Sequence, residues 1–181
     1  MADLRFERTE QMLQQSFLKL LETTPFHDIS IAKLAKKSLI DRTTFYAHYE
    51  NIYELAEKLI DQYLEHFADA FEQNIKKREQ EKKFDSYSFF DEELTAYLIG
   101  NRKKIMLVRA LNLGMNSFDA KLRSLFKREY AKTLNVSENA FTIYLVVNLA
   151  MSNIDFILEK QRVPSKKELK KGLIKIEEFL S

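Results

Sequence analysis

Residues 31–49 read IAKLAKKSLIDRTTFYAHY, and two short helices are written in them. Ser30 suits an N-cap, because its hydroxyl can accept from an otherwise unpaired N–H of the first turn. Ile31, Leu34 and Ala35 then fall on one apolar face. Ser38–Ile40 predicts a tight connection, after which Asp41 caps a second short helix from Arg42 to about His48. Upstream, Phe6, Leu13, Phe17, Leu20 and Leu21 form one stripe with Pro25 just past its end, which predicts an amphipathic helix over about 5–23. Downstream, Asn51 opens a long helix striped by Ile52, Leu55, Leu59, Tyr63 and Phe67, with Glu54 placed to bond back in a capping box.

Three short-to-medium helices with a tight turn between the last two form a unit that docks its final helix in the major groove. Such a helix needs short polar side chains near its N-terminal end to reach base edges, and donors around it for phosphates. Thr43 and Thr44 meet the first need. Arg42, Tyr46, His48, Lys33, Lys36 and Lys37 are candidates for the second, and Phe45 points inward as the anchor. The candidate DNA-binding set is therefore Ser30, Lys33, Arg42, Thr43, Thr44, Tyr46 and His48.

Over about residues 8–60 this pattern resembles the TetR family of bacterial transcriptional regulators. The resemblance rests on Ile29-Ser30-Ile31, on Ala32-Lys33-Leu34-Ala35, on Thr44-Phe45-Tyr46-Ala47-His48-Tyr49, and on Leu55. It implies that Thr43 and Thr44 face bases, that Tyr46 and His48 hold backbone phosphates, and that the N-terminus of the Asn51 helix approaches a phosphate. It also implies a repressor released by a small-molecule effector. Two residues depart from the family pattern. Leu39 stands where the turn glycine is usual, so the turn must strain a non-glycine residue or adopt another geometry. Ile52 and Tyr53 occupy the stretch that often carries a lysine.

The rest of the chain predicts further helices over about 88–99, 101–112, 116–134, 137–161 and 165–180, with Lys76–Lys83 as a solvated helix end or loop. Three glycines and two prolines in 181 residues leave little punctuation for anything else. The expected fold is all-α: a helix-turn-helix head over 1–50 joined to a helical ligand-binding and dimerisation body over 51–181. Helix 137–161 is apolar on more than one face, and the last helix adds Leu169, Leu173, Ile176 and Leu180 at near-heptad spacing. Two such helices from each of two chains would form a four-helix interface on a two-fold axis. Leu149, Met151, Ile154, Ile157, Leu158, Leu173, Ile176 and Leu180 are its candidates, the other reading being that the long helix is the body's own core.

The region from Phe67 to Tyr144 is rich in aromatics, among them Phe84, Tyr87, Phe89 and Phe90. Phe71, Tyr97, Met106, Phe126, Tyr144 and Asn148 are candidate pocket residues, although aromatics at helical spacing also make plain core. Asn148, Ser152 and Asp155 make a polar strip that could orient a ligand, meet a dimer mate or face water.

Bulk composition narrows the classes. With 45% hydrophobic residues the chain has material for a core, and 31% charge argues against a membrane protein. No apolar run is expected to approach the roughly 20 residues that span a bilayer, and the charged N-terminus is unlike a secretory signal. The absence of cysteine fits a reducing cytoplasm and leaves no thiolate ligand or nucleophile. Twenty-nine basic against 27 acidic residues nearly balance, so a local patch must supply any phosphate attraction. The three histidines, His27, His48 and His66, lack ligand spacing, and there is no glycine-rich phosphate loop or nucleophile elbow. No cofactor, metal or enzymatic activity is expected. The expected partners are a palindromic duplex operator, a second copy of the chain and a small-molecule effector. A helical dimer that binds ligand or protein without touching DNA is the main alternative.

Overall fold

The computed structural model describes residues 4–81 and 92–180. As the periodicity predicts, the fold is all-α: the described residues form nine α-helices and two 3₁₀ turns, with no strand. The helices are α1 (Leu4–Leu21), α2 (Ile31–Ser38), α3 (Arg42–Tyr46), α4 (Ile52–Glu81), α5 (Glu92–Gly100), α6 (Arg102–Arg109), α7 (Phe118–Leu134), α8 (Phe141–Lys160) and α9 (Lys166–Leu180). Lys76–Glu81, expected as a helix end or loop, continues α4. The helix expected over 116–134 starts two residues later: Gly114–Asn116 makes a 3₁₀ turn, with Gly114 at φ 59°, and α7 then runs unbroken from Phe118. Phe84, Tyr87, Phe89 and Phe90 lie outside the described residues, as does the side chain of Phe71.

The chain forms two compact units. The first joins Met1–Leu64 to Lys103–Lys121, and the second joins Glu65–Arg102 to Leu122–Ser181. In the first, α1 packs on α2 and α2 on α3. Its core is built from Leu13, Phe17, Leu34, Phe45, Leu55, Ile60, Ile105, Val108 and Phe118, all fully buried. Each such side chain contributes about 1.5–3 kcal/mol over its exposed state. Arg109 closes this unit's edge with a bidentate pair to Asp119 at 2.7 and 2.9 Å. In the second unit α5 packs on α8, around Phe67, Leu98, Leu122, Ile143, Ile154 and Ile157.

One expectation needs revising. By length and composition α8 is long and apolar enough to cross a membrane. Its face of Ile143, Val147, Ala150, Met151, Ile154, Ile157 and Leu158 is buried in its own unit, and Leu145 and Leu149 on another face are exposed. An apolar composition on two faces raises the mean hydropathy to that of a spanning helix, even with Asn148, Ser152 and Asp155 in its length.

Candidate nucleic-acid interface

α2 begins as its sequence predicts. Ser30 is extended, at φ −100° and ψ 156°, and its Oγ accepts from the Lys33 N–H at 3.2 Å. Leu34, Ala35 and Ser38 face inward, leaving Lys33, Lys36 and Lys37 exposed. The helix ends with Leu39 in the left-handed region, at φ 56° and ψ 38°. The Leu39 N–H donates to Lys36 O at 3.4 Å and the Ile40 N–H to Ala35 O at 3.1 Å. That pair of bonds is a Schellman turn, which normally uses glycine. The turn therefore keeps the glycine geometry with a leucine in it, and the strain is about 1–2 kcal/mol. Nothing repays it locally, since the Leu39 side chain is 90% exposed.

α3 is one and a half turns long and depends on its cap. Asp41 Oδ1 accepts from the Thr44 N–H at 2.6 Å, and this bond holds the carboxyl below the usual aspartate range. Phe45 is fully buried and fixes the helix's rotation. Arg42 and Thr43 are consequently exposed, Thr44 is half-buried, and Tyr46 stands half out of the surface. Two side chains able to hydrogen-bond base edges, Arg42 and Thr43, thus leave the N-terminal turn outward, as direct readout requires.

His48 follows α3 and is half-buried. Its ring stacks on Phe6, with centroids 3.8 Å apart and planes 26° apart. Nδ1 is buried without a hydrogen-bond partner. Burial holds the imidazole below its ordinary pKa, with Glu10 opposing and Lys58 reinforcing. Next to it, Tyr49 is buried and its hydroxyl donates to Glu10 Oε1 at 2.9 Å and accepts from Gln14 Nε2 at 3.3 Å. Sequence reasoning missed this tie between α1 and the end of α3.

α4 starts with Asn51 Oδ1 accepting from the Glu54 N–H at 3.0 Å. The return bond reaches one residue further back than a capping box, from Glu50 N–H to Glu54 Oε2 at 2.6 Å. Ile52 is a core residue at 7% exposure, so this stretch has no cation to offer. Lys58, two turns in, pairs with Glu54 at 3.0 Å and lies 5.0 Å above the Tyr49 ring. Positive charge at the candidate face thus comes from Lys33, Lys36, Lys37 and Arg42, with the Lys33 ammonium donating to the Asp28 carbonyl at 2.9 Å.

The other candidate residues are scattered. Met151, Ile154, Ile157 and Leu158 are at most 3% exposed inside the second unit, whereas Leu149, Leu173 and Ile176 are 38–56% exposed. The Leu180 side chain is outside the described residues. Tyr97 stacks on His66 at 3.9 Å and lines a cleft of about 70 Å³ with His66, Asp69 and Glu93. Phe126 is core, beside Tyr130. Tyr144 is exposed beneath the Lys127 ammonium at 4.7 Å, and Asn148 accepts from Arg123 at 2.8 Å. Met106 is half-exposed in the first unit. Ser152 and Asp155 are exposed with Asn148, so the polar strip faces away from its own core.

The first unit also holds an open hollow of about 480 Å³, walled by Leu21, Pro25, Phe26, Tyr53, Leu107 and Leu111. Phe26 meets Tyr53 edge to face at 5.1 Å there. Four separate segments supply the walls, and no single helical stripe announces it.

Over 59 residues the chain is 42% identical to a protein of Bacillus subtilis (strain 168) described as an uncharacterized HTH-type transcriptional regulator, YxbF. The match covers 32% of this chain and only 16% of that protein's length. No family model matches the chain. No solved structure matches it.

Proposed function

We propose that the chain is a DNA-binding transcriptional regulator of the TetR type, a cytoplasmic repressor that binds a palindromic operator as a homodimer. One observation carries the reading: α3 is capped by Asp41 and anchored by Phe45, so that Arg42 and Thr43 leave its first turn outward beside the exposed lysines of α2. The similarity to a protein described as an HTH-type regulator supports the same class, a binding function rather than catalysis. In this reading residues 1–50 are the DNA-binding head and 51–181 the regulatory and dimerising body.

Contacts divide by type. Thr43 and Thr44 read base edges, while Arg42, Tyr46, His48, Ser30 and Lys33 hold phosphates. The effector belongs to the same reading. The open hollow of the first unit, walled mostly by apolar and aromatic side chains, is the place that supports such a molecule. Its release mechanism would be a change in the separation of the two reading helices, which must stay about one DNA turn, ~34 Å, apart.

Band shifts of the full chain on its own upstream region, at two salt concentrations, test the core of this. Binding should weaken steeply with salt. Thr43→Ala should cost about 5- to 100-fold and relax the base preference at one position, whereas Lys36→Ala should lower the salt slope by about one with the preference unchanged. Failure to bind any duplex at low salt would sink the regulator reading in favour of a helical dimer that acts through its body.

A further inference from the structure

We infer that Phe6 is a positioning residue for His48: its ring, stacked on the imidazole, holds His48 uncharged, with the proton on Nε2 as a neutral donor to a DNA backbone phosphate. The inference rests on the regulator reading for its phosphate and on geometry alone for the tautomer.

Phe6 lies in the first turn of α1, at the N-terminal end of the stripe that continues through the buried Leu13 and Phe17, and is 45% exposed. A large aromatic left half in water has little to gain from solvent. It does cover one face of the His48 ring at 3.8 Å. Nδ1 is enclosed with no partner, and Nε2 is not orphaned in this way. An orphaned buried N–H is rarer than an orphaned acceptor, so Nδ1 stays bare and the proton sits on Nε2. An imidazolium would need an acceptor for both nitrogens. The stacked Phe6 face would attract such a cation, but the missing acceptor at Nδ1 stands against it. The charged and titratable groups facing the ring are Glu10 on α1 and Lys58 on α4, with the buried Tyr49 ring beside it. Glu10 favours the cation, but it is engaged with the Tyr49 hydroxyl at 2.9 Å, and Lys58 opposes it.

A neutral donor has a distinctive signature on DNA. It adds a hydrogen bond but releases no counterion, so its loss lowers affinity without changing the salt slope. Removing a lysine or arginine contact changes both.

The first measurement needs no DNA. In nitrogen-resolved NMR of the full chain, with His48→Asn assigning the signal, His48 should carry its proton on Nε2 and titrate below the ordinary histidine value of ~6.5. In Phe6→Ala the ring hydrates and the midpoint should move up toward ~6.5, while Phe6→Tyr, which keeps the stack, should stay with the wild type. Unchanged thermal unfolding certifies that Phe6→Ala is folded. A proton on Nδ1, or a midpoint indifferent to Phe6→Ala, overturns the inference.

The second measurement is the band shift. Phe6→Ala and His48→Asn should each bind about 3- to 10-fold more weakly at pH 8, with the wild-type salt slope. Phe6→Ala alone should regain affinity as pH falls through its imidazole midpoint. Duplex binding with both variants at wild-type affinity overturns the inference and leaves the regulator reading standing. No duplex binding by the wild type overturns the regulator reading, and the phosphate role with it, whatever the NMR says.

Discussion

Leu39 is where one side chain and the backbone it sits on disagree most openly. Its φ of 56° belongs to glycine, its side chain is 90% exposed, and the Schellman bonds around it are nonetheless made. Leu39→Gly removes the left-handed penalty of about 1–2 kcal/mol, offset by about 0.5–1 kcal/mol of extra unfolded-state entropy. The chain should therefore gain about 0.5–1 kcal/mol, read as a raised urea midpoint at unchanged slope. A lowered midpoint would mean that the leucine side chain has a partner that outweighs its strain. Ser38, just before it, is buried with an unpartnered hydroxyl, so the turn is a weak point of the head on two counts.

At the scale of an element, α3 has so few backbone hydrogen bonds that its cap decides whether it forms. Asp41→Ala should therefore loosen α3, lowering amide-exchange protection over residues 44–48 and weakening DNA binding together, while Asp41→Asn, an equally good cap, should preserve both. The carboxyl's folded value lies below its unfolded one. Its contribution is thus complete above the unfolded range near ~3.9 and is lost as pH falls through the folded value. Wild-type protection of α3 should fade in acid, and that of Asp41→Asn should not; equal fading in both would exclude the cap as the cause. The caps at Ser30, Asp41 and Asn51 were legible because each acts on a residue three positions away. Ser165 and Glu168 complete a reciprocal box at 2.8 and 3.2 Å that starts α9. What local reasoning could not reach depends on distant segments. Phe6 finds His48 across 42 positions, Tyr49 finds Glu10 across 39, and the hollow's walls come from α1, α4, α6 and the turn at Pro25. The candidate base and phosphate residues could be nominated from sequence because they crowd into one short motif. On α8, periodicity finds the apolar positions but not which face its own unit covers.

For the whole molecule, α9 is the element that one chain does not account for. It is 15 residues long, and Leu173, Ile174, Ile176 and Phe179 are 44–87% exposed. An isolated helix of that length is marginal in water, and four large apolar side chains on it call for a covering surface. Leu145 and Leu149 of α8, 57% and 38% exposed, offer more of the same on the second unit. In a two-fold pair each patch is its own complement, and about 800 Å² from each chain would suffice. The DNA side makes the same demand: a helix as short as α3 reads only a few base pairs, and a symmetric pair doubles the site at fixed spacing. Sedimentation at micromolar concentration should accordingly give twice the chain mass. Leu173→Glu with Ile176→Glu should give a monomer whose first unit keeps its fold, judged by the Phe6–His48 and Tyr49 signals. That monomer should bind a single half-site as the wild type does, but lose about 100-fold or more on the full palindrome, where the second head no longer binds at high effective concentration. Wild-type chain sedimenting as a monomer, or a monomeric variant that keeps full affinity for the palindrome, would remove α9 from the interface and leave its exposed stripe to a different partner.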